Sequence, residues 1–172
     1  MQLVLALLIG LAPLAAAQGK RAHRGHAAHE HGAAAINIVI EGTTGIVEFE
    51  APAEGVFGFE HAARTAAQKK QVEAALATVR TKGGEMVQFD AGRGCRWEAK
   101  SVEVVREAGE EHAEVKAEYT VACAQAPGGS RLRFGVSRMF PRIERVQVQV
   151  LNGAQQAGLG VRGDRGTIVL TR

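Results

Sequence analysis

His112-Ala113-Glu114-Val115-Lys116-Ala117-Glu118-Tyr119-Thr120-Val121-Ala122-Cys123 alternates without a break. Ala113, Val115, Ala117, Tyr119, Val121 and Cys123 share one face. His112, Glu114, Lys116, Glu118 and Thr120 share the other. A period of two with one apolar face is the pattern of a strand that buries one side. Upstream, Glu107-Ala108-Gly109-Glu110-Glu111 reads as a turn, and Cys95 to Arg106 as the strand before it. A hairpin centred on Gly109 pairs residues whose numbers sum to 218, and this sets Cys95 opposite Cys123, within reach of a disulfide. Val102 and Val104 have the wrong parity relative to Cys95, Trp97 and Ala99. A bulge near Lys100-Ser101 restores it.

The same alternation recurs on both sides. Ile36-Asn37-Ile38-Val39-Ile40 and Ile46-Val47-Glu48-Phe49-Glu50-Ala51 are two strands joined by the turn Glu41–Gly45, with Val47, Phe49 and Ala51 facing inward and Pro52 as the stop. Met86-Val87-Gln88-Phe89 is a short strand leading into the turn Asp90–Gly94. Arg131–Val136 and Arg145–Val150 alternate strictly, linked through Phe140-Pro141-Arg142. Gly-rich connections lead to a last strand around Gly166–Leu170. One stretch reads as a helix. Thr65 and Gln68 form a capping box, Val72, Ala75, Leu76 and Val79 make an apolar stripe, Arg80 and Lys82 suit the C-terminal dipole, and Gly83-Gly84 ends it. The expected fold is therefore α+β: mainly antiparallel sheet or sandwich, about eight strands, with one helix packed on it.

Leu3 to Leu14 are almost wholly apolar, Ala15-Ala16-Ala17 are small, and Gln18-Gly19-Lys20-Arg21 turn polar. This is the form of a secretory signal peptide over residues 1–17. The apolar run falls short of the roughly 20 residues a membrane span needs. Residues 18–34, rich in Ala, Gly and His, read as a flexible arm, and residues 35–172 as a single β-rich domain. Export places Cys95 and Cys123 in an oxidising, periplasmic setting, where one disulfide is expected. A catalytic cysteine would need a paired base and a reason to stay reduced. Net charge is +3, with signs mixed along the chain and no basic-aromatic stripe, which argues against nucleic acid.

Four of the six histidines, His23, His26, His29 and His31, fall in nine residues. Imidazole nitrogen suits zinc in a tetrahedral shell, and copper(II) at least as well. Gaps of three, three and two fit no regular face, so an arm would have to wrap around the ion, at an entropic cost that keeps its own affinity moderate. His61, before the helix, suits a hydrogen-bonding role. His112 with Glu114 offers a nitrogen and an oxygen on one strand face, although such a pair is more often simply solvated. No G-x-S-x-G, H-E-x-x-H, phosphate loop or C-x-x-C occurs, so no enzyme is expected.

Ala28-His29-Glu30-His31-Gly32, Ile40-Glu41-Gly42, Val47–Ala53, Gly58-Phe59-Glu60-His61-Ala62, Arg64-Thr65, the two cysteines, Phe140-Pro141 and Val146–Val150 together resemble the ZrgA family of zinc-regulated periplasmic proteins. The resemblance implies periplasmic zinc binding in support of zinc uptake, beside an envelope zinc transporter. By motif it points to His29, His31 and His61. It also marks His112, where many relatives carry a long His- and Asp-rich loop that is here reduced to Glu110-Glu111-His112. That departure shifts the weight to the N-terminal cluster. Two other readings stand beside it: a copper- or nickel-handling envelope chaperone, and a structural or partner-binding β-domain whose histidines are incidental.

Overall fold

The structure is a computed structural model that describes residues 31–106 and 112–172. The expected signal peptide, His23, His26 and His29 of the arm, and the turn at Gly109 lie outside the described residues.

The alternating stretches become strands whose apolar sides meet. β1 (Ala33–Glu41) buries Ala34, Ile36, Ile38 and Ile40, and β2 (Thr44–Pro52) buries Val47, Phe49 and Ala51. Their link is only Gly42-Thr43, and Gly42 takes the positive φ (60°) that so tight a reversal asks for. β5 (Glu114–Cys123) pairs with β2 on one side and with β4 (Cys95–Val105) on the other. The register is the one expected: Cys95 lies opposite Cys123, and the pairing shifts between Ala99 and Ser101, which brings Val102 and Val104 into line. Cys95 and Cys123 form a disulfide.

β7 (Arg145–Asn152) runs parallel to β1, the one parallel pairing among the described strands, and β8 (Gln155–Arg162) closes the edge. The six-stranded order is β4-β5-β2-β1-β7-β8. A second sheet has the order β3-β6-β9, from Val87–Gln88, Arg131–Phe134 and Thr167–Val169. One apolar cluster runs through both sheets. The α+β, mainly antiparallel reading is thus borne out, with nine strands among the described residues where about eight were expected. The additional strand is β8, where a Gly-rich connection was expected. Ala157, Leu159 and Val161 turn inward there, and Gly158 and Gly160 face solvent.

The expected helix is α2 (Ala66–Thr81), in the chain order after α1 (Ala53–Phe57). Thr65 caps it through Gln68 in both directions: the Gln68 amide donates to Thr65 Oγ1, and Gln68 Oε1 accepts from the Thr65 amide. Its Val79 is buried. Gly83-Gly84 does not pass into coil. Lys82 is the C-cap, and Gly83–Met86 make one more short turn, α3. A further short helix, α4 (Val136–Met139), ends the strand expected to reach Val136 two residues early, at Phe134. β1 also starts earlier than the expected domain edge at residue 35, because Ala33 and Ala34 pair with Arg145 and Val146. Among the described residues, no helix is long and apolar enough to cross a membrane.

α2 meets the sheet through an aromatic seam. The Trp97 and Tyr119 rings meet edge-on at 5.7 Å, and the Tyr119 hydroxyl donates to the Val79 carbonyl at 2.6 Å. Burial pushes the Tyr119 phenol far above its ordinary pKa, so it remains a donor. Gly83 sits against these rings: an added Cβ would lie 2.9 Å from Tyr119 ring carbons and 3.0 Å from Trp97. Gly83→Ala is expected to cost about 1–3 kcal/mol through overpacking, measured by urea unfolding. An unchanged midpoint would show that the seam yields freely.

Candidate functional site: a histidine and carboxylate groove at one end of the large sheet

Five strands of the large sheet bring matching ends together. The starts of β1, β5 and β7 meet the ends of β2 and β4, because Ala35 pairs with Glu50, Pro52 with Glu114, Val105 with Glu114 and Ala33 with Arg145. The segments leaving this end carry the polar side chains. His31, Glu54, Phe59, Glu60, His61, Ala62, Arg64, Arg106 and His112 line an open groove there.

Each wall is fixed by backbone bonds. Gly32, at φ 75°, turns the chain into β1, and its carbonyl accepts from the amides of Glu144 and Arg145 at 2.8 and 3.0 Å. His31 is thereby pinned to the start of β7. The Ala53 amide donates to the Ala113 carbonyl at 2.8 Å, joining α1 to the residue after His112. Gly58, at φ 93°, ends α1 in the left-handed region, and Gln71 Nε2 donates to the Phe57 carbonyl at 2.6 Å. The loop from Gly58 to Thr65 is closed at its far end by the capping box, where Gln68 Oε1 also accepts from the Arg64 amide.

Within the groove, the His31 and His112 rings stand edge to face, 6.4 Å between centres. His31 Nδ1 is 3.8 Å from Glu54 Oε2, and Arg142 Nε is 3.9 Å from Glu54 Oε1. His112 Nδ1 donates to Glu60 Oε2, and Arg106 Nη2 donates to the Glu60 carbonyl. The other Glu60 oxygen, Oε1, is buried with no hydrogen-bond partner among the described residues. The His61 ring stacks on Phe59 at 4.8 Å, and its Nδ1 donates to the Ala62 carbonyl at 3.0 Å. Because carbonyls and carboxylates only accept, Nδ1 carries a proton in both His61 and His112.

His31, His61 and His112, three of the residues singled out in the sequence, therefore line one groove. His23, His26 and His29 lie outside the described residues. Glu114, offered with His112 in the sequence, is engaged by a lysine on its own strand. Lys116 Nζ holds Glu114 at 3.0 Å and Glu50 at 3.2 Å. Burial, reinforced by Glu114, raises the Glu50 carboxyl. Burial works against the charged Lys116, but the hydrogen bonds to Glu114 and Glu50 outweigh it and raise the ammonium. The sequence reading missed Glu54 and Glu60. Glu60 stands beside His61 in the chain but serves His112, and that is a tertiary relation. Among the described residues, no three His, Cys, Asp or Glu groups are already close enough together to hold a metal ion.

The chain is thus a disulfide-bonded, two-sheet β-protein with a histidine- and carboxylate-lined groove at one sheet end. Its residues 28–170 match the family described as ZrgA family zinc uptake protein, and the chain belongs to that family. No curated protein matches it.

Proposed function

We propose that this is a periplasmic zinc-binding protein, without catalysis of its own, that collects zinc as cargo for uptake through an envelope zinc transporter. One observation carries the reading beyond the family's description: His31 and His112, far apart in sequence, stand side by side in the same groove as His61, Glu54 and Glu60. The N-terminal cluster precedes His31 directly. An extended chain spans at most about 3.3–3.6 Å per residue, so the eight residues from His23 to His31 reach up to roughly 28 Å from the groove rim. Imidazoles on the arm can capture an ion and hand it to the groove. The disulfide suits an oxidising compartment.

The test is calorimetric titration of zinc chloride into the mature chain from Gln18 and into the same chain lacking residues 18–30. The cut stops before His31 so that Gly32 and β1 stay intact. About one to two zinc ions per mature chain are expected, with most of the binding lost on deletion and a weaker groove site left. Unchanged stoichiometry and affinity after the deletion would remove the arm from the mechanism. A mature chain that takes up copper(II) but no zinc would overturn the choice of metal.

A further inference from the structure

Resting on the zinc-binding reading, we infer that His31, Glu54 and His112 form a three-ligand zinc site, and that Glu60 is the residue that positions His112 for it. Two ligand atoms, each about 2.0–2.1 Å from a tetrahedral zinc, lie roughly 3.3 Å apart, and two imidazoles on one ion place their ring centres roughly 5 Å apart. His31 Nδ1 and Glu54 Oε2 are at 3.8 Å, and the His31 and His112 ring centres at 6.4 Å. Both gaps close with a small side-chain movement. The His31 side chain is 65% exposed and free to make it, while its backbone is held through Gly32.

The His112 ring is held from behind by Glu60. Glu60 Oε2 accepts a hydrogen bond from Nδ1, which keeps that nitrogen protonated and makes Nε2 the one that zinc would take. A carboxylate behind a metal-bound imidazole orients the ring and raises its basicity. Glu60 is itself held: its side chain is only 14% exposed, and its carbonyl is bound by Arg106. Its second oxygen is buried without a donor among the described residues, a costly arrangement that a cation in the groove would offset. Three protein ligands leave the fourth tetrahedral position to water or to an imidazole from outside the groove. An open position suits an ion that has to be passed on, whereas a closed four-ligand shell is the mark of a structural site.

Zinc chloride is titrated into the full mature chain, native and with Glu60→Gln, Glu60→Asp or Glu54→Ala, while the His112 ring nitrogens are followed by NMR. Glu60→Gln is expected to weaken the groove site about 10- to 100-fold, with partial recovery in Glu60→Asp. Glu54→Ala weakens binding but leaves the His112 tautomer as it is, and that separates ligand from positioning residue. In the native protein zinc must move the Nε2 signal, and Nδ1 must carry the proton beforehand. Coordination through Nδ1, or native affinity in Glu60→Gln, overturns the assignment. If Glu60→Gln does not fold, the native NMR measurement decides alone. A native chain that takes up no zinc sinks the zinc-binding reading itself, whereas native uptake undiminished in Glu60→Gln sinks only this site.

Discussion

Phe49→Ala is expected to destabilise the protein by about 3–5 kcal/mol, a large part of the roughly 5–15 kcal/mol that holds a domain folded. Phe49 is 2% exposed at the middle of β2. Ile36 on β1 and Ala117 on β5 flank it in register, and its ring stacks on Phe140 at 6.5 Å. Phe140 belongs to the chain between α4 and β7, so the contact ties the sheet centre to the layer beneath. Collapse into the vacated space is resisted on both sides, since β1 and β5 are each hydrogen-bonded to further strands. The cavity therefore persists, and cavity volume is what raises the cost above simple transfer. At about 2–4 °C per kcal/mol for a chain of this size, the melting temperature should fall by roughly 6–20 °C. A loss below 1 kcal/mol in urea unfolding, on the scale of ordinary surface changes, would show that the two layers do not share one core.

What the sequence made legible was whatever a local pattern encodes. The alternation from Ala113 to Cys123 identified both the strand and its buried face, and the parity conflict at Val102 placed the bulge before any pairing was known. Thr65 and Gln68 marked the start of α2 because a capping box is a relation between near neighbours. β8 had its signal too, in Ala157, Leu159 and Val161, but the intervening Gly158 and Gly160 resemble a loop unless the partner strand is known. The helices α1, α3 and α4 are each four or five residues, too short for a 3.6-residue period to show. The parallel pairing of β1 with β7 joins residues more than a hundred positions apart and has no local mark.

The candidate site divides the same way. His31, His61 and His112 were found by residue type. Their shared groove depends on five strand ends converging, and the role of Glu60 is a contact with a residue 52 positions away that leaves no local mark. The carboxylate that matters to His112 sits on a loop fixed by α1 and by the α2 cap, two elements that the sequence links to His112 in no visible way.

Replacing Cys95 and Cys123 by serine together is expected to lower stability by about 3.5 kcal/mol while leaving zinc affinity where it was. The two residues are 28 positions apart, and closing a loop of that size restricts the unfolded chain by roughly that amount on the chain-entropy account. β4 is an edge strand of the large sheet, and beyond Gly94 its start is held by backbone bonds from Ala124 and Gln125 to Gly94 and Arg93. The groove lies at the other end of the same two strands, where Arg106 follows β4 and His112 precedes β5. Nine ordered residue pairs stand between them, from Arg96 with Ala122 to Val105 with Glu114. The ladder is rigid enough to keep the groove end in register without the bond, so any variant molecule that is folded should bind as the native one does. Urea unfolding and zinc calorimetry, run together at a temperature where the variant is folded, separate the two effects. A fall in zinc affinity that parallels the fall in stability would mean that the hairpin transmits strain along its length, and that the disulfide holds the groove as well as the fold.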